Sequence, residues 1–78
     1  MSDPRFMRPG LAFNRDCLVE ECGELLAALG KAGRWGWHSV NPLLPPEEQE
    51  TNEAWVRREM ADVRQALDRF EAELDAAR

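Results

Sequence analysis

The chain has 78 residues, is 44% hydrophobic and 32% charged, and carries a formal net charge of -5. That length holds one domain at most, and the composition is that of a soluble, helix-rich domain rather than a disordered one. The acidic balance argues against a nucleic-acid polymer as partner, while no run is long and apolar enough to span a membrane. The opening MSDPRFMRPG lacks the apolar stretch of a secretory leader, so a reducing, cytoplasmic setting is expected. Nucleotides stay open as ligands, because a cation can bridge an acid to a phosphate.

Residues 1–10 carry two prolines and a glycine and are expected to form an irregular N-terminal arm. The rest, 11–78, reads as one all-α domain. From about 11 to 32 the pattern is helical. Leu18, Cys22, Leu25, Leu29 and Ala32 repeat at steps of four and three, the spacing of a buried seam. Val19 and Leu26 widen that seam on one side. Gly30 and Gly33 bracket the expected stop. Gly23 falls in mid-helix, where it costs roughly 1 kcal/mol against alanine.

Residues 33–46, GRWGWHSVNPLLPP, are punctuated by glycine and proline and read as a loop. A helix connection of that length often carries function. The second helix starts between Pro46 and Asn52 and runs from about 47 to 77. Its seam is Val56, Met60, Val63, Leu67, Phe70 and Leu74. Two such helices predict an antiparallel hairpin. One hairpin leaves part of each apolar stripe wet, so a homodimer closing a four-helix bundle is expected, with pairing into a homotetramer left open. A core this small also tends to need a metal, a disulfide or a partner subunit. Cys17 and Cys22 point in different directions on one helix and cannot join. Both are expected to be buried thiols, and the single histidine, His38, cannot build a metal site alone.

Two acid clusters remain, Glu20-Glu21-x-x-Glu24 on the first helix and Glu59-x-x-Asp62 on the second. Carboxylates three and four apart on a helix repel, at a few tenths of a kcal/mol per pair. Two helices that both accept this cost point to a divalent cation, and Mg²⁺ prefers such hard oxygen ligands. On a helical wheel with Leu18 and Cys22 in the seam, Glu21 and Glu24 flank it on one edge. With Val56 and Met60 in the seam, Glu59 and Asp62 flank the corresponding edge. At 1.5 Å per residue, Glu24 and Glu59 both sit roughly 14 Å from the hairpin mouth. Glu21, Glu24, Glu59 and Asp62 are therefore the predicted ligands, and Glu20 lies on the far face.

The segments EECGELLAALGKAGRWG and REMADVRQALDRF together resemble the MazG-like all-α nucleoside triphosphate pyrophosphohydrolases, whose signature is E-E-x-x-E on one helix and E-x-x-D on a later one. The resemblance covers roughly residues 14–74. It implies Mg²⁺-dependent hydrolysis, with Mn²⁺ as a substitute, of a nucleoside triphosphate between its α- and β-phosphates, giving a monophosphate and pyrophosphate. It also implies that Glu21, Glu24, Glu59 and Asp62 bind the metal, the same four that the wheel selects. In this chain the Trp- and Pro-bearing loop lengthens the spacing between the two motifs.

Phosphoanhydride hydrolysis needs a base for the attacking water. Glu21 and Glu24 are the candidates, and Glu20 is a further one that would hydrogen-bond the water. Lys31 and Arg34 are placed either to reach phosphate oxygens or to complement the helix C-terminus. Trp35 and Trp37 in the loop, and Trp55 one turn before Glu59, offer faces for a base or for packing against a second subunit. Asn14 and Asn52 are either contacts to a base or ribose, or caps. Two other function classes share these features. One is a non-catalytic dimeric helical module that binds metal or a partner. The other is a phosphoribosyl-ATP pyrophosphatase on the same scaffold.

Overall fold

A computed structural model describes residues 9–77. Residues 1–8 of the expected arm lie outside them, and Pro9 and Gly10 already belong to a helix. Among the described residues there are two long helices, α1 (Pro9–Trp35) and α2 (Asn52–Ala76), one 3-10 turn at Pro46–Glu48, and no strand. The helices pack against each other in antiparallel fashion. The start of α1 meets the end of α2 where Gly10 lies against Glu73, and the end of α1 meets the start of α2 where Ala28 and Ala32 pack on Val56. A Cβ at Gly10 would come within 2.9 Å of the Glu73 carboxylate, the far end of a flexible side chain that would have to shift to admit it. Among the described residues, no helix is long and apolar enough to cross a membrane.

The helix ends follow local chemistry. Pro9 opens α1, where its missing N–H costs nothing. α1 does not stop at Gly33 as expected but runs to Trp35. A glycine inside a helix weakens it without ending it. The stop needs left-handed backbone, and Gly36 supplies it with φ +97° while its N–H bonds the Ala32 carbonyl at 2.8 Å. At the other end of the loop, Thr51 caps α2 by accepting the Ala54 N–H at 3.1 Å. The next orphan donors of α2 are met by the loop itself. Asn52 N–H bonds Ser39 O and Glu53 N–H bonds Trp37 O, both at 2.9 Å. The second helix thus begins at Asn52, and Pro46–Glu48 is a separate turn.

The contact seam is turned by one residue from the expected one on both helices. On α1 the inward positions are Leu11, Leu18, Leu25 and Ala32 along one edge, with Glu21 and Ala28 along the other. On α2 they are Val56, Val63 and Phe70, with Glu59 and Ala66. Cys22, Leu29, Met60 and Leu67, all expected in the seam, are exposed. The reason is size. Ala28, Ala32 and Ala66 are buried and let the two backbones close in, whereas leucines at those positions would hold them apart. The larger side chains turn outward and join Val19 (67% exposed) and Leu26 (69% exposed) in a second apolar stripe.

Ala28 has no exposed surface. Ala28→Leu is expected to lower stability by about 1–3 kcal/mol, the usual cost of overpacking a closed contact. Thermal unfolding in metal-free buffer measures it, and an unchanged midpoint would show that this contact is not tight.

Candidate metal centre

Turning the seam by one residue carries Glu21 and Glu59 into the contact between the helices. Glu59 is only 4% exposed and is the single buried charged residue among those described. Its Oε1 accepts the indole N–H of Trp55 at 3.1 Å and lies 3.6 Å from the Arg58 guanidinium. Its Oε2 is buried with no hydrogen-bond partner, and so is Oε2 of the half-buried Glu21. One carboxylate oxygen from each of Glu21, Glu59 and Asp62 lies within 4.8 Å of the others, a spread that a single cation can bridge. Orphaned buried carboxylate oxygens are costly without a compensating charge. An all-oxygen donor set of this kind suits a hard divalent ion such as Mg²⁺.

Glu24, the fourth predicted ligand, is exposed and stands beside this trio rather than in it. Its pKa is raised, chiefly by repulsion from Glu21, then by partial loss of hydration and by the neighbouring Glu59 and Glu20 carboxylates. Glu20 is exposed on the outer side of α1.

A pocket of about 860 Å³ opens next to the acids, between the loop and the helix ends. Its walls include Lys31, Trp35 and Trp55, three of the predicted binding residues, with Leu43, Leu44 and Arg58. The Lys31 ammonium sits 4.5 Å from the Trp55 ring centroid, a cation–π contact. Arg58 bonds Glu50 at 2.6 Å, and that bond, more than the neighbouring carboxylates, raises the already high pKa of the guanidinium. Trp55 and Arg58 each touch both the pocket and Glu59, so the two sites share a wall.

Arg34 and Trp37 are not among the lining residues. Trp37 serves the loop through its backbone carbonyl, and its indole is half-exposed. The Asn52 amide donates to Gly36 O at 2.8 Å and ties the loop to α2, while the Asn14 amide donates to Gly10 O at 2.8 Å. Both asparagines therefore hold backbone. Cys22 is exposed, not buried as expected, because it lies on the outer stripe; Cys17 is half-buried. His38 is exposed. Arg58 was the residue missed in the sequence. Residues 55, 58 and 62 share one stripe of α2, but that stripe marks Arg58 only once Glu59 is known to point inward.

Comparison with family models, with curated proteins and with solved structures gives no match.

The raised pKa of Glu24 has a consequence for stability. Protonation of this carboxyl is favoured in the folded chain over the unfolded one, so it contributes stability at low pH that is lost as pH rises through its folded pKa. In metal-free buffer the melting midpoint of the wild type, relative to Glu24→Gln, should fall as pH rises from the ordinary carboxylate range toward neutral. A difference that stays constant with pH would contradict the repulsion described above.

Proposed function

We propose that the chain is a divalent-cation-dependent nucleotide pyrophosphohydrolase of the MazG-like kind, converting a (d)NTP to a (d)NMP and pyrophosphate. The supporting observation is the convergence of Glu21, Glu59 and Asp62, with one oxygen of Glu59 buried and partnerless, beside a pocket lined by aromatic and cationic side chains. Mg²⁺, when bound, neutralises phosphate oxygens and activates the attacking water. Glu21, Glu59 and Asp62 hold that ion. Glu24, next to the trio and open to solvent, is the base that takes the proton of the water.

The pocket has the volume of an ordinary small-molecule site. Trp35, Trp55, Leu43 and Leu44 form its apolar wall and take the base. Lys31 and Arg58 neutralise the phosphate tail as it runs toward the acids. The outward stripe of Val19, Leu26, Leu29, Met60, Leu67 and Leu74 is covered by a second copy of the chain. Each such side chain, if fully buried, adds about 1.5–3 kcal/mol of favourable transfer. A cytoplasmic location agrees with the two free thiols.

Turnover is tested with a panel of canonical and modified nucleotides and phosphoribosyl-ATP in Mg²⁺, distinguishing pyrophosphate from phosphate release. Glu59→Gln and Asp62→Asn are expected to lose at least about a hundredfold in kcat, the scale of losing transition-state charge stabilisation. Their metal-free melting midpoints should not fall, because repulsion in the seam is relieved. Near-normal turnover in Asp62→Asn would remove the acids from the mechanism, and a wild type inert on the whole panel would leave a non-catalytic module.

The assembly is tested separately by sedimentation at micromolar concentration. The wild type should run as a dimer or tetramer and Leu67→Glu as a smaller species. A folded wild-type monomer would refute the second copy.

A further inference from the structure

The loop pocket and the acid cluster meet at Trp55. It lies in the first turn of α2, half-buried, with its ring packed on the Ala28, Ala32 and Val56 core. Trp55 also lines the pocket, and the Lys31 ammonium sits 4.5 Å from its ring centroid. The indole N–H donates to Glu59 Oε1 at 3.1 Å, across one helical turn. With Oε1 held in this way, Oε2 of Glu59 is left buried and without a protein partner.

A glutamate side chain has three rotatable bonds, and a carboxylate in a seam of other carboxylates is driven to turn away from them. Resting on the metal reading above, the geometry points to Trp55 as a positioning residue for the cation. Its N–H holds the Glu59 carboxylate in the trio with Glu21 and Asp62, with one oxygen engaged and the other free to ligate. Outer partners of this kind commonly set metal affinity and ligand orientation. Indole is suited to the position because it has one donor and no acceptor, so it leaves the ligand deprotonated. Trp55 also borders the pocket, so the residue that orients the metal ligand also contacts what the pocket holds.

The test is Mn²⁺ binding to the full chain, read from the free-ion electron paramagnetic resonance signal, with unfolding curves in metal-free buffer. Trp55→Phe keeps an aromatic ring in the core contact and removes the donor. It should weaken Mn²⁺ binding about 10–100-fold, the range for losing such a partner. Trp55→Gln removes the ring and keeps an N–H at the same helical spacing from Glu59, and should bind more tightly than Trp55→Phe. A ring that only packs predicts the opposite order. If Trp55→Phe binds within about twofold of wild type, well below the usual effect of such a partner, the inference is overturned while the metal reading stands. If the wild type itself binds no Mn²⁺, both fall. Should one variant fail to fold, the affinity of the other relative to wild type decides, since Gln must approach wild type and Phe must not.

Discussion

The rest of the structure depends on how closely the two helices can approach. Ala28 and Ala32 on α1 and Ala66 on α2 are buried at the contact. Methyl side chains let the backbones come near enough that Glu21 on one helix and Glu59 on the other face the same small space. Had the leucines at 29 and 67 taken those places, the acids would have stood on the rims, facing water. Close approach therefore converts two ordinary acidic helix faces into one concentrated site. It also makes that site expensive, since carboxylate oxygens without partners are held out of solvent. Apolar contacts at the two ends of the hairpin offset the cost.

The loop is built on the same economy. It is long, yet its backbone is engaged at many points. Asn41 accepts the Leu43 N–H, Gln49 donates to Leu44 O, and the Ser39 hydroxyl donates to Trp35 O. Its carbonyls at Trp37 and Ser39 satisfy the first N–H groups of α2, which would otherwise be orphaned. The pocket is therefore walled by a segment whose own hydrogen bonds fix it against the helix that carries Glu59 and Asp62. A ligand bound there would meet side chains set by both.

Much of this could be read in the sequence. The two helices, the loop between them and the meeting of Glu21 with Glu59 and Asp62 follow from periodicity and spacing, whereas Glu24, expected with them, stands outside the trio. The register of the seam did not, because a helical wheel ranks positions by hydrophobicity. Leu29 and Leu67 outrank Ala28 and Ala66 on that scale, yet the smaller residues win where backbones must approach. The stop of α1 was placed too early for a related reason. Gly30, Gly33 and Gly36 look alike in sequence, and only the demand for positive φ distinguishes Gly36. Trp55 was already placed one turn before Glu59, whereas Arg58 becomes visible only once Glu59 is known to point inward.

The placement of the acids at mid-seam also dictates where the hairpin is weakest. Stability is seldom uniform along such a structure, and openings begin where packing is poorest. Here the apolar contacts cluster near Ala28, Ala32 and Val56 at one end and Leu11 lies toward the other, with Glu21, Glu59 and Asp62 between them. Without a cation, the middle turns of both helices should exchange their amide hydrogens faster than the turns on either side, an inversion of the usual fraying from the ends. A bound cation would even out that profile, so the pattern of amide protection along the helices would report occupancy of the site without any substrate present.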